Sequence, residues 1–518
     1  MTTHLKDANS LSETTFEEIA ALRAEIRALK ARLLPTQRNP LLALDVYKMG
    51  HLEQYVPGCN MVYSYLLARS DKKFEKTVFF GLQYYLKQYL SVRLEPWMAE
   101  EFLKYRSKIL GTPNSSEIER KIRALCALGY WPLRIKAVPE GTVMETRNVL
   151  MTMVNTHPDF YWAVGYVESL VLKVWYPTTV ASCSYAYRKT VDAYFAATVD
   201  DSLHFLKQFS VHDFGYRGDS SEEGAALSGV AHLLSFTGSD TVPALPFAEQ
   251  FYGARDDELV MASVPASEHS VMCSFGRDDE LAAFRNMLRL YPTGIVSIVS
   301  DTFNIYRVVS EFATALKEEI LARPEGSKVV FRPDSGNPEY IICGDPNADY
   351  GTPEERGCIR LLEQVFGHTV NAKGQWVLNA KVGLIYGDGM YLERYIRTLQ
   401  RLEDMGYAAC NLVIGVGGIL RNHSRDTLGF ALKATYVEVD GLPREIEKDP
   451  VTDTKKKSHR GLVALEIDPK GHYYTTDRQT AEEEAACALL PVVFEDGHVL
   501  IEYTLAEIRQ RVETSLLH

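Results

Sequence analysis

The sequence has no C-x-x-C pair. Its eight cysteines are scattered, which indicates neither a zinc ribbon nor a disulfide framework, and most read as small core residues. No apolar run is long enough to span a bilayer, and the polar start carries no signal-peptide pattern, so a cytoplasmic location is expected. There is no G-x-x-x-x-G-K-[ST], no complete G-x-G-x-x-G and no H-E-x-x-H, which removes support for P-loop, dinucleotide-fold and zincin chemistry. Positive charge is also in deficit. A formal net charge of -12 argues against wholesale nucleic-acid binding, although a local Arg and Lys cluster can still focus potential on an anionic small substrate.

What is present is the composition of an ordinary soluble globular protein, 46% hydrophobic and 24% charged over 518 residues, long enough for two or more domains. Residues 1–38 read as a helical appendage and linker: Ile19, Leu22, Ile26, Leu29 and Leu33 alternate three- and four-residue steps, and Pro35 and Pro40 break the pattern. Residues 39–180 read as a β-rich domain with helices, from short runs such as Met61–Arg69, Leu133–Val138 and Val149–Val154. Within it a helix from Tyr161 to Val174 is expected to stop at Trp175-Tyr176-Pro177; beyond it another is expected from Tyr185 to Thr198. Asp45 and Tyr47, two apart, would share one face of an extended segment.

From residue 181 to 425 the rhythm becomes strand, loop, helix: Gln208–Val211 then Glu222–Leu234; Ile295–Ser300 then Ile305–Leu321; Val329–Arg332; Val382–Tyr386 then Met390–Met405; Leu412–Ile414. The fold class is therefore α/β, a parallel sheet covered by helices and most economically a barrel. Residues 426–518 return to strands at Phe430–Val439, Leu462–Ile467 and Pro491–Phe494, expected to rejoin the β-rich domain, before a helix from Leu505.

Polar residues and glycines follow these strands repeatedly, as around the mouth of an α/β barrel. His212-Asp213-Phe214-Gly215-Tyr216-Arg217-Gly218 offers an aromatic face for a flat heterocycle and an arginine for a phosphate. Gly415-Val416-Gly417-Gly418 suits a phosphate, because bare backbone N–H groups can converge on an anion. Asp334 in Arg332-Pro-Asp-Ser-Gly336 and Asp388 in Gly387-Asp-Gly389 can accept ribose hydroxyls or hold magnesium; each also reads as a Gly-bounded turn. His269 follows a strand-like run, and Asp301, ending Ile298-Val-Ser-Asp, could orient it. The Lys455-Lys-Lys457 run near Arg460 reads as a solvated loop or a cover for a polyphosphate.

With His212–Gly218, Val264-Pro-Ala-Ser-Glu-His-Ser270, Arg332-Pro-Asp-Ser-Gly-Asn-Pro338, Gly387–Gly389 and Lys448-Asp-Pro450 in view, the chain from about Leu41 onward resembles the nicotinamide phosphoribosyltransferases, of the type II phosphoribosyltransferase kind. The resemblance implies an irregular (β/α) barrel and a β-rich domain from both chain ends. It implies transfer of phosphoribose from phosphoribosyl pyrophosphate to nicotinamide with Mg2+, in a homodimer whose active sites lie at the subunit interface. It gives Phe214 and the other subunit's Tyr47 as plates around the pyridine, and Asp240 as the carboxylate that accepts the carboxamide N–H₂. Arg217 and Arg332 fall where the family binds substrate, Asp334, Gly387 and Asp388 at the ribose, and Gly417 and Gly418 at the 5′-phosphate. Arg425 matches a phosphate-binding arginine, while Asp45, Arg69, Lys433 and Lys448 match charged positions around the pyrophosphate and the phosphates of ATP. His269 corresponds to a histidine phosphorylated by ATP, steadied by Asp301. The alternatives are a nicotinate-specific relative and a non-catalytic binding protein on the same scaffold. Two departures stand out: a shorter segment between Arg69 and Thr77, and a glycine turn one glycine poorer.

Overall fold

The computed structural model describes residues 39–70, 72–452 and 457–517. The helix expected within residues 1–38, and Lys455 and Lys456 of the lysine run, lie outside them.

Five apolar runs pair in parallel in the order Val211–Asp213, Leu412–Val416, Val382–Tyr386, Lys328–Arg332, Ile295–Val299. Val211, Val296, Ile298, Val329, Phe331, Val382, Leu384 and Ile414 are all at most 2% exposed, as befits parallel strands covered on both faces. Each such side chain contributes roughly 1.5–3 kcal/mol by leaving water. Isolated parallel bridges Asp213↔Ser239, Gly238↔Ala262 and Ala266↔Ser297 carry the pairing from the first strand back to the last. Successive parallel segments send their carboxyl ends to one side, where the candidate site lies.

A second sheet of seven antiparallel strands runs Leu442–Glu445, Ala431–Val439, Cys59–Leu67, Val149–Asn155, Leu133–Ala137, Val492–Glu495, His498–Val499. It therefore mixes strands from before residue 160 with strands after residue 430. Leu462–Ile467 does not join it; that strand pairs with Tyr473–Gln479 in a separate hairpin.

Other expectations are corrected by local chemistry. Pro177 does not end a helix. It sits in the first turn of Trp175–Thr198, where its missing N–H leaves no hydrogen bond unmade. Gln208 and Phe209 belong to the 3-10 segment Asp201–Phe209, so the strand begins only at Val211. Ile305–Leu321 is not one regular helix but is interrupted by a π-helical turn, Val308–Phe312. Asp45 and Tyr47 do not lie on an extended segment, because Val46–Glu53 is a 3-10 helix with Asp45 at its N-cap. Among the described residues, no helix is long and apolar enough to cross a membrane.

Candidate active site

Nearly every candidate on the parallel segments stands just past a carboxyl end: Phe214, Asp240, His269, Asp301, Asp334, Asp388, Gly417 and Gly418 follow their strands or bridges by one to a few residues. Backbone pairing fixes these ends relative to one another, so their side chains are presented by rigid elements rather than by a wandering loop.

At one end of the site, His212 Nε2 lies 3.0 Å from Asp240 Oδ1, and the Ser263 hydroxyl donates to the same oxygen. Burial pushes the Asp240 carboxyl up, but the His212 contact, the Ser263 hydroxyl and the Arg332 charge outweigh it and hold the group below its ordinary value. Asp240 is therefore an ionised acceptor whose side chain remains 44% exposed. The Phe214 ring lies 5.2 Å from that of His212 and presses on Gly415. A Cβ on Gly415 would overlap the Phe214 ring, so the strand can pass beneath it only as glycine. Arg217 is exposed on the 3-10 turn Tyr216–Gly218.

Further round, Arg332 donates to the Ser267 carbonyl at 2.9 Å, and its Nε stands 3.6 Å from Asp334 Oδ1. That is an ion pair too long for a hydrogen bond, and both atoms are buried without a hydrogen-bond partner. A ligand hydroxyl could accept from Arg332 Nε and donate to Asp334 Oδ1, whereas a cation would satisfy the carboxylate oxygen alone. Burial raises the Asp334 carboxyl, with Asp301 and Asp388 adding to the effect against Arg332 and His269. Asp301 behaves oppositely: burial is outweighed by bonds from Ser335 and the Asp334 N–H and by His269, and its carboxyl is held low. Its Oδ1 lies 3.1 Å from His269 Nε2. Gly387 is required here too, since a Cβ would overlap Asp334 Oδ1.

Gly417 follows the strand Leu412–Val416, and Gly418, which is exposed, opens the turn Gly418–Leu420, a backbone arrangement that suits an anion. Four cations form a separate group around the antiparallel strand Ala431–Val439, which carries Lys433. Burial lowers the Lys433 ammonium, and Lys448, Arg69 and Arg425 lower it further against the opposing charge of Glu168, as expected where like charges gather. Arg69 is tied to the Gly429 carbonyl at 2.9 Å. Asp45 accepts from Ser169 at 2.7 Å. Within the chain Tyr47 is not brought to Phe214: its ring neighbour is His51, and the side chain is 60% exposed.

Residues 209–498 match the nicotinate phosphoribosyltransferase (NAPRTase) family, and residues 39–100 match the nicotinamide phosphoribosyltransferase N-terminal domain. A nicotinamide phosphoribosyltransferase of Acinetobacter baylyi is 42% identical over 503 residues, 92% of this chain and 98% of the relative. Another from Xanthomonas campestris pv. campestris is 38% identical over 489 residues, 92% and 99% of the two chains. The chain belongs to the nicotinamide phosphoribosyltransferase family. The fold is shared with a nicotinate-nucleotide pyrophosphorylase from Pyrococcus furiosus (TM-score 0.53, 16% identity, covering 99% of this chain and 98% of that one). It is also shared with human nicotinic acid phosphoribosyltransferase (TM-score 0.52, 17% identity, 91% and 93%).

In this nicotinamide phosphoribosyltransferase-family chain, several residues with no assigned role in the sequence reading stand among the candidates. Ser263 shares Asp240 with His212. Asp213, between His212 and Phe214, is fully buried against Arg421. The sequence reading ended the strand at Val211 and placed Asp213 in the loop beyond it, so neither Asp213 nor Arg421 carried a signal of burial.

Proposed function

We propose that this chain transfers the 5-phosphoribosyl group from phosphoribosyl pyrophosphate to nicotinamide, giving nicotinamide mononucleotide and pyrophosphate in NAD salvage. The observation that carries the choice of base is Asp240, an ionised carboxylate held by His212, whose ring neighbours that of Phe214. It accepts a hydrogen bond from a carboxamide N–H₂ and repels the carboxylate of nicotinate, so selection acts against the wrong base as well as for the right one. The second reading, nicotinate as the base, draws on the match of residues 209–498 to the nicotinate phosphoribosyltransferase family. Purified protein given phosphoribosyl pyrophosphate, magnesium and either base tests both. Mononucleotide from nicotinamide is expected; a strong nicotinate preference would overturn the role of Asp240, and no product from either base would favour the binding-protein alternative.

In this reading the parallel segments closed by their bridges form the irregular (β/α) barrel, residues 181–425 the catalytic domain, and residues 39–180 with 426–518 the β-rich domain. Phe214 stacks one face of the pyridine and the partner subunit's Tyr47 the other, in a cytoplasmic homodimer; the exposed Tyr47 ring supports this. Arg217 and Arg332 hold substrate, Asp334 and Asp388 meet the ribose hydroxyls, and the amides at Gly417 and Gly418 receive the 5′-phosphate with Arg425. Stacking holds the ring nitrogen in line with C1′, and orientation supplies much of the acceleration. As the bond to pyrophosphate breaks, Arg69, Lys433 and Lys448 stabilise the departing charge. Among the described residues no group of three or more His, Cys, Asp and Glu side chains could hold a metal by itself. The unpartnered Asp334 Oδ1 fits a magnesium ion that takes its other ligands from substrate phosphates and water. Such an ion, when bound, neutralises pyrophosphate charge. His269 accepts the γ-phosphoryl group of ATP on the ring nitrogen not held by Asp301, and ADP leaves. ATP hydrolysis is then coupled to transfer, with ATP an activating co-substrate rather than an obligatory one.

A further inference from the structure

Arg421 is a completely buried cation that the transfer mechanism leaves unused. Its Nη2 donates to both oxygens of Asp213, at 2.9 and 2.7 Å, and its Nε lies 2.7 Å from Asp219 Oδ2. Asp213 is itself a hub. It accepts the Gly215 N–H at 2.8 Å, the Thr241 hydroxyl at 2.8 Å and the Ser239 hydroxyl at 3.3 Å. It is covalently joined to Phe214, and Ser239 and Thr241 flank Asp240 on either side. One carboxylate thus fixes both the stacking ring and the carboxamide reader. Arg421 closes the phosphate turn, its N–H donating to the Gly418 carbonyl at 2.9 Å. The two loops touch directly as well: a Cβ on Gly215 would stand 2.8 Å from the Arg421 guanidinium carbon, and one on Gly218 3.1 Å from the Gly418 Cα. Asp219 is held by the Tyr176 and Ser228 hydroxyls. A guanidinium is the side chain suited to bridging two carboxylates in a dry site, because its charge is spread over a rigid fork.

We propose that Arg421 is a positioning residue that couples the phosphate turn to the nicotinamide pocket, so that filling the turn with a sugar phosphate orders Phe214 and Asp240 for the base. The proposal rests on the nicotinamide reading above and adds that the two subsites communicate through Asp213 and Arg421. By linkage, coupling of this kind appears as a change in the affinity for one ligand when the other is present.

The test measures nicotinamide affinity by calorimetry with and without ribose 5-phosphate, using free ribose as the control for the sugar alone. In the wild-type chain ribose 5-phosphate tightens nicotinamide binding by about fivefold or more, and ribose does not. In Arg421→Lys, which keeps the charge but cannot span both carboxylates, the factor falls below about two, and KM for nicotinamide rises more than kcat falls. A triple Asp213→Asn, Asp219→Asn, Arg421→Gln chain, which leaves neither carboxylate charged without its cation, serves if Arg421→Lys does not fold. No tightening in the wild-type chain overturns the proposal, as does an unchanged factor in either folded variant. The wild-type measurement decides if neither variant folds. A wild-type chain that binds no nicotinamide under any condition instead overturns the functional reading on which the proposal stands.

Discussion

His269 Nε2 stands 3.1 Å from Asp301 Oδ1, an imidazole 46% exposed against a carboxylate only 4% exposed. The buried partner fixes the ring, and the exposed ring presents its other nitrogen to solvent. His269→Ala is expected to abolish stimulation by ATP while ATP-free transfer persists in part. Asp301→Asn should weaken the stimulation less, because an amide can still hold the ring. Initial rates with and without ATP check this; an undiminished response in His269→Ala would remove its role as phosphoryl acceptor.

Gly415 lies under the Phe214 ring with no room for a methyl group. Gly415→Ala should therefore push the ring out of place and raise KM for nicotinamide by more than about tenfold, since displacements near 1 Å cost catalysis heavily. KM for phosphoribosyl pyrophosphate should change much less. Equal rises in both would indicate a general loss of structure, which a melting curve would register.

Tyr47 and Phe214 are not neighbours within one chain. If they sandwich the same pyridine across a dimer, inactive Tyr47→Ala and inactive Phe214→Ala chains mixed under exchange conditions should recover activity, because a hybrid carries one intact site. Activity of the mixture against each variant alone measures this. No recovery despite proven exchange would locate the site within one polypeptide.

His232 is buried and His423 half-buried, and burial brings each imidazole down to about 4, with Arg421 opposing its charge in both. The unfolded chain takes up these protons near the ordinary value of about 6.5, so between that pH and about 4 it binds protons the folded chain refuses. Stability should be fully present above 6.5 and fall with pH through that window, by up to about 1.4 kcal/mol per pH unit for each group. Urea midpoints across the range check the slope, and His232→Gln should flatten it. A wild-type slope of zero would contradict the burial argument.

Much of the fold was legible because buried parallel strands are nearly continuous apolar runs. Val382–Tyr386 was read with its structural bounds on that ground; the antiparallel strand Leu462–Ile467 and the Leu505 start of the last helix were read from other local patterns. Gln208–Val211 slid because Phe209, apolar and next to Val211, belongs to a 3-10 turn. Pro177 misled because a proline signals opposite things at the first turn of a helix and in its interior. In the candidate site, Asp301 was expected to orient His269, 32 positions away, and the two do meet, whereas the pairing of Arg421 with Asp213, 208 positions apart, stayed hidden. Nothing in a linear pattern relates the latter two positions until strand pairing closes the distance.

Asp240 carries the central claim, and steady-state kinetics of the wild-type and Asp240→Asn chains with nicotinamide and with nicotinate test it most directly. Loss of a charge-assisted hydrogen bond, about 1.5–3 kcal/mol, should lower kcat/KM for nicotinamide by roughly 10- to 100-fold. Removal of the like charge should leave nicotinate use unchanged or improved. A ratio of the two kcat/KM values that is the same in both chains would contradict the account.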